Sequence, residues 1–440
     1  MKNRHSGLIH FTTVWLALVM FVYPIPHTIA LRNMLLLVGC VILCVFLRPV
    51  PRLPALPTTR TATFILGLLT IWLVAQSALF SLAPHESFSA LRGDWLIALI
   101  AMLLGILTAS VVEKSANPEE VPSRLITAVV AAGLAHLIGL LLYQLWFFFS
   151  HGAFLWGRTP FAEKDYHSVI ANFLLALLLA ETVFRMTSHQ RYLRLSNKLL
   201  SLALLVTGIS TVTLLARNGV IVAVILVTAA SIAFAMRVSL SRTLLLRLTL
   251  VASITAGLTA WSVAHDGRWS NFLESSQIAT QIDTHRHWLQ SDLHPPPHTQ
   301  NGELVEGSAY LRVAWATAAL REIARHPLGV GYGHKAFGIA VNDHYGLHTG
   351  LESSHSGLLD FTLANGIPGL VLWLALAGVL MLLGWRAFRA GNPVGLMLFL
   401  FVLGYLVRCA LDGHLSGWRL ESYALTTGLL TALTLRLQKT

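Results

Sequence analysis

Long apolar runs recur from one end of this chain to the other, and they limit the fold more than any other feature. The stretches at 125–149, 219–236 and 357–384 each hold enough apolar residues to cross a bilayer as a helix. A chain in hydrocarbon must satisfy its backbone internally, and helices do so within one segment. About 12 spans fit, near residues 8–24, 33–47, 61–81, 89–111, 125–149, 168–184, 199–215, 219–236, 247–264, 357–384, 394–411 and 420–435. The span at 89–111 contains Arg92 and Asp94, so its start is read as interfacial. Only 12% of the 440 residues are charged, against about 25% in soluble domains. The expected fold class is therefore an all-α polytopic membrane protein.

Charge orients the bundle. The net charge of +11 would suggest nucleic acid in a soluble protein. In a membrane protein it reads as basic cytoplasmic loops facing anionic lipid, so membrane lipid is an expected partner and nucleic acid is not. Lys2, Arg4, Arg48, Arg52, Arg60, Arg185, Arg191, Arg194, Lys198, Arg237, Arg242, Arg247, Arg386, Arg389, Arg436 and Lys439 all fall on the side of the N-terminus. That places both termini in the cytoplasm. "MKNRHSG" before an apolar run mimics a signal peptide, but no A-x-A site follows, and an uncleaved first helix is expected. Cys40 and Cys44 share one apolar run and Cys409 lies in another, which is neither a disulfide framework nor a zinc site.

The other side is mostly tight turns, apart from residues 150–167 and one long segment at 265–356. Long loops in compact proteins are functional or disordered. This one carries Trp269, Trp288, Tyr310, Trp315 and Tyr332, so a folded external domain is expected. Three units follow: a transmembrane bundle over 1–264, the loop domain over 265–356, and the last three helices over 357–440. No internal repeat is visible. "GSAYLRVAWATAALREIARHP" predicts a helix with Ser308 as N-cap and Pro327 as stop. "HPPPH", 294–298, predicts an extended stretch.

Few polar residues stand out on that side. Arg217, in "LLARNGVIVAV", reads either as a snorkelling arginine or as an anion ligand at the membrane face, with Gly219 allowing close backbone approach. Arg312 shares a helix side with Leu311, Trp315, Ala318 and Ala319, so it is expected to point into an interior or pocket. Arg321 and Arg325, with Glu322, read as a solvated face. Gly329, Gly331 and Gly333 precede His334 and Lys335, and form either a close-packed turn or a weak phosphate cradle. His344, His348 and His355 have helical spacing, but Gly346 and Gly350 oppose a helix, and Asp343 and Glu352 complete no ligand pattern. No metal is expected. His355, in "ESSHSGLLDF", ends the loop at the membrane face that also holds Arg217.

These segments resemble the O-antigen ligase and polymerase superfamily, membrane enzymes that use polyprenyl-diphosphate-linked glycans. The matching pieces are "ARNG", "YLRVAWATAALREIARHPLGVGYG" and "SSHSGLLDFTLANGIPGLVLWL". The first usually reads Ser-Arg-Gly, so Ala216 and Asn218 are departures around Arg217. The likeness covers roughly residues 200–380 in sequence and the whole chain in topology. The single dominant loop is most similar to the ligase branch. That resemblance implies a glycosyltransferase C-like fold and a bacterial inner membrane location. It also implies transfer of O-antigen from an undecaprenyl-diphosphate donor to a lipid A–core acceptor at the periplasmic face.

Chemistry and resemblance together give the residues roles. Arg217 and Arg312 would clamp the diphosphate, and His355 would accept or orient the acceptor proton. Lys335, His334 and Arg92 are second-rank phosphate contacts. No cofactor is needed, because the donor is already activated. Rival readings are an O-antigen polymerase or protein O-oligosaccharyltransferase of the same superfamily, a twelve-helix transporter, or a scaffold. The acceptor used separates the polymerase from the ligase, and the protein O-oligosaccharyltransferases tend to be longer, with an added C-terminal region. Substrate movement without glycan transfer would mark a transporter, which normally shows related halves. A scaffold has no need of converging arginines.

Overall fold

The computed structural model describes residues 2–49, 57–115, 117–155, 159, 164–214, 216–238, 246, 249, 253, 257, 272–413 and 415–437. Among them there is no strand, only an isolated bridge between His298 and Leu304. The helices are α1 (Lys2–Val22), α2 (Ile29–Phe46), α3 (Pro57–Leu79), α4 (Pro84–Lys114), α5 (Glu120–His151), α6 (Lys164–Ser188), α7 (Asn197–Thr213) and α8 (Arg217–Ala235). They continue as α9 (Phe272–Ala279), α10 (Gly307–Arg325), α11 (Ala336–Tyr345), α12 (Gly357–Arg389), α13 (Pro393–Leu411) and α14 (Gly417–Arg436).

Among the described residues, 8 helices are long and apolar enough to cross a membrane: α2 to α6, α8, α12 and α13. Ser6–Val22 and α7 are apolar but shorter. The helix α14 also carries Arg419, Glu421 and Arg436, and it is not among the eight. The span expected at 247–264 lies almost wholly outside the described residues. So the multi-pass helical membrane architecture is clear, but the three helices that fall short in length or composition bring the eight only to 11, and the remaining expected span is the one almost wholly outside the described residues. Within α4 a π-helical turn, Leu91–Trp95, carries Arg92 and Asp94.

The bundle packs through aromatic and aliphatic side chains. Tyr423 of α14 stacks on Tyr405 of α13, ring centroids 3.8 Å apart, and Leu425, Leu429 and Leu433 are fully buried. At one end, Glu181 of α6 is buried, pairs with Arg185 at 2.6 Å, and accepts the backbone N–H groups of Tyr192 and Leu193. A buried carboxylate needs such partners, and here they fold the basic turn after α6 onto the bundle.

A second apolar core lies in the long loop. Trp288, Tyr310, Ala314, Ala318, Phe337 and Val341 pack together, and Leu363 and Ala364 of α12 join them. The expected helix over the loop motif forms as α10, but its N-cap is Glu306, whose carboxylate accepts from the Ala309 N–H, and not Ser308. The face read as solvated divides in two. Arg321 makes a bidentate pair with Asp283 at 2.7 and 2.8 Å. Glu322 turns inward, is 1% exposed, and accepts from His344 Nδ1 at 2.6 Å.

The glycine-rich turn after α10 is a packing device. Gly329, Gly331 and Gly333 all have positive φ. The Val330 and Gly331 N–H groups donate to the carbonyls of Leu363 and Ala364 at 2.9 and 3.0 Å, and Ile367 N–H donates back to the Pro327 carbonyl at 2.9 Å. The partner of this turn is a break in α12 at Gly366, with φ 72° and ψ 174°, just before Pro368. Two of these donors therefore serve the protein backbone, as in a close-packed turn. The loop and the membrane helix are joined main chain to main chain.

Candidate active site at one end of the bundle

Helix α8 starts at Arg217, after the extended Ala216. Arg217 is half-buried, and Asn218 beside it is buried. The Asn218 amide works in two directions. Its Nδ2 donates to the Leu411 carbonyl at 3.0 Å, which fixes the start of α8 against the end of α13. Its Oδ1 accepts from Arg312 Nη1 at 3.2 Å, which reaches across to α10 of the loop. Gly219 follows, and a Cβ there would lie 2.2 Å from Ser168 Oγ. Only glycine lets α6 approach this closely.

Behind that turn sits an arginine that the sequence candidates do not include. Arg408 of α13 is 1% exposed. Its Nη1 donates to Ser168 Oγ at 2.8 Å and to Asn172 Oδ1 at 3.3 Å, while Asn172 Nδ2 donates to the Gly219 carbonyl at 3.0 Å. Its Nη2 is 3.6 Å from Asp412 and 3.9 Å from Asp165. Two carboxylates and two polar side chains thus surround a buried guanidinium, as such a charge requires. A signal existed in the sequence. An arginine one turn from the end of an apolar run, with an acid four residues on, marks a functional position in a membrane helix.

His355 completes the group. Its segment is held firmly: Ser354 N–H donates to Asp360 at 2.8 Å, Ser356 Oγ to the Ala410 carbonyl at 3.0 Å, and Gly357 N–H to the Asp412 carbonyl at 3.1 Å. His355 itself has φ 58°, a left-handed conformation uncommon for a histidine. Its ring lies on Trp315 of α10, centroids 5.0 Å apart and planes 22° apart. Desolvation pulls the imidazole pKa below its ordinary value. Asp412 opposes that, Arg312 reinforces it, and Asp165 opposes it again. At neutral pH the ring is therefore neutral and able to take a proton.

The loop helix α10 thus holds Arg312, meets the His355 ring through Trp315, and brings Arg312 to the residue after Arg217. Arg312 is exposed, which corrects the expectation of an interior position. Its guanidinium crosses the gap between loop and bundle, and its helix places apolar neighbours such as Ala314 and Ala318 inward instead. Lys335 and His334 lie elsewhere. Lys335 pairs with Glu352 at 3.3 Å, and Lys335 and His334 line a neighbouring cleft. Arg92 is exposed on the π-helical turn, and no contact among the described residues brings it to the cluster. Among the described residues, no group of three or more His, Cys, Asp or Glu side chains is placed to hold a metal ion.

A comparison with curated proteins finds no match. A comparison with protein families gives one over residues 200–374, an interval that contains Arg217, Arg312, His355 and the break at Gly366. The matched family is described as O-Antigen ligase, and the match supports placing this chain in the O-antigen ligase superfamily of membrane enzymes.

Proposed function

We propose that the chain is an O-antigen ligase of the bacterial inner membrane. It moves O-antigen from undecaprenyl diphosphate to lipid A–core at the periplasmic face, without a metal and with inversion at the anomeric carbon. In this reading residues 265–356 form the periplasmic loop domain, and both termini are cytoplasmic. The observation that carries the reading is the bridge from the loop helix. Arg312 bonds the residue after Arg217, and Trp315 of the same helix carries the His355 ring.

The chemistry follows from charge. A lipid-linked diphosphate is anionic, and its leaving oxygen gains charge as the bond to the sugar breaks. Arg217 and Arg312 hold it and stabilise that charge. The acceptor hydroxyl oxygen forms the new bond to the anomeric carbon on the opposite side. Its proton passes to neutral His355, and the electron pair of the broken bond leaves on the diphosphate. Arg408 acts one layer behind. It fixes Ser168 and Asn172, and through them the turn that presents Arg217.

A pH profile tests the role of His355. Transfer requires the unprotonated ring, so kcat/KM falls as pH drops through its lowered pKa, and the acid limb lies below the usual imidazole range. Asp412→Asn removes a charge that holds the proton on, so it moves the limb to still lower pH. A limb that moves upward in this variant would contradict the assignment. The function itself is tested with purified protein, lipid A–core and lipid-linked glycan. Glycan attached to core is the expected product, and protein that only lengthens lipid-linked chains is a polymerase.

A further inference from the structure

The segment 352–357 has a second face. A cavity of about 190 Å³ is lined by Glu352, Ser353 and Gly357, but not by His355, Trp315, Arg312 or Arg217. It shares the lining residues Asp94, Tyr332, Gly333, His334 and Ser416 with a wider cleft of about 630 Å³, so the two adjoin. That volume is in the range of small-ligand sites, roughly 300–1,000 Å³. Chain neighbours of His355 on both sides thus line this space, while the His355 ring itself lies on Trp315.

The lining indicates the ligand. Asp94, Glu352, Asp360 and Asn365 offer carboxylate and amide oxygens beside Phe361 and Tyr332. Acceptors for hydroxyl groups next to aromatic faces suit a saccharide better than a lipid tail. Arg419 adds a charge requirement. It lies over Tyr166 and Trp418, 5.3 and 6.0 Å from their ring centroids, and donates Nη1 to the Gly413 carbonyl at 3.1 Å. Its Nε is buried with no hydrogen-bond partner among the described residues. A guanidinium held on aromatic faces, lining the cavity with a donor unused, fits an anionic group.

We propose that this space is the subsite for the acceptor saccharide: a hydroxylated sugar bearing a phosphate or carboxylate, with the anionic group on Arg419 and hydroxyls on Asp94, Glu352 and Asp360. The assignment rests on the glycan-transfer reading above. Inverting attack requires the acceptor on the side of the anomeric carbon away from the leaving diphosphate. The cavity is lined by the chain neighbours of His355 and not by the arginines that hold that diphosphate, and in this reading the attacking hydroxyl enters past Ser353.

Binding without turnover tests it. Full-length protein in detergent is titrated with labelled lipid A–core, with lipid A–core stripped of phosphate, and with undecaprenyl-diphosphate glycan. Arg419→Ala weakens lipid A–core binding by about tenfold or more, Arg419→Lys weakens it less, and donor binding is unchanged. The stripped acceptor binds wild type more weakly than the intact one, and Arg419→Ala feels no further loss. If loss on stripping is absent but Arg419→Ala still binds weakly, a sugar carboxylate is the partner. Glu352→Gln, at an exposed side chain, supplies a well-folded second variant and also weakens acceptor binding. Unchanged acceptor binding in both variants, or loss of donor binding instead, overturns the subsite. Failure of the transfer reading looks different: wild type binds acceptor yet attaches no glycan to it.

Discussion

Arg312→Ala is expected to lower glycan transfer by about 100-fold or more while the protein stays folded. Its one hydrogen bond among the described residues is the 3.2 Å contact to Asn218, made by an exposed side chain. Losing a bond of that kind costs about 1 kcal/mol of stability. Losing a preorganised cation from a leaving group that gains charge costs far more rate, about 100- to 1,000-fold for a single donor. The loss falls mainly on kcat, because the charge grows in the transition state. Arg312→Lys keeps the charge but loses the planar fork, so it recovers part of the rate only. Arg217→Ala behaves alike. Steady-state transfer by each variant, beside its thermal unfolding in detergent, checks this. A normal kcat in both alanine variants would remove the arginines from the reaction.

Gly366→Ala is expected to fail in the opposite way, by loss of structure first. The backbone at Gly366, φ 72° and ψ 174°, is a region that only glycine enters readily, with about 1–3 kcal/mol of strain for other residues. A Cβ there would also lie 2.5 Å from the Leu328 carbonyl carbon, which is backbone and has no rotamer to yield. Relief requires the glycine-rich turn to move off α12. That breaks the Val330, Gly331 and Ile367 hydrogen bonds, each worth about 1 kcal/mol. The loop would then lose its fixed position over the bundle, and Arg312 and Trp315 would go with it. A marked drop in melting temperature together with lost transfer is the expected outcome. Ile367→Ala, at an exposed side chain, is the control and should melt close to wild type. Equal melting of Gly366→Ala and wild type would mean that the break in α12 does not hold the loop.

These contrasts show which parts of the molecule were legible in the sequence. Apolar run length is a local property, so each expected span within the described residues coincides with a helix, from Lys2–Val22 to Gly417–Arg436. Whether such a helix can cross a bilayer depends on length and mean hydropathy together, which is why the short α7 and the more polar α14 fall outside the eight. Arg217, Arg312 and His355 were legible as candidates because each sits in a recognisable motif. Their meeting was not, since it depends on Asn218 and Trp315, an apparent departure from pattern and an ordinary aromatic. Arg408 is harder still. Its partners Ser168 and Asn172 lie 240 and 236 residues away in the chain, and no local pattern connects them. Glu322 shows the same limit in reverse, because only the fold of α11 brings His344 to it and turns a surface acid inward.

The central claim is that Arg217, Arg312 and His355 carry out one metal-independent transfer to lipid A–core. It is tested most directly by incubating purified protein with undecaprenyl-diphosphate glycan and lipid A–core, with and without EDTA, and determining the anomeric configuration of the product. The account predicts glycan on core, an inverted linkage, equal yield in EDTA, and almost no product from His355→Ala. Retention of configuration, or activity lost to EDTA and restored by a divalent ion, would contradict it.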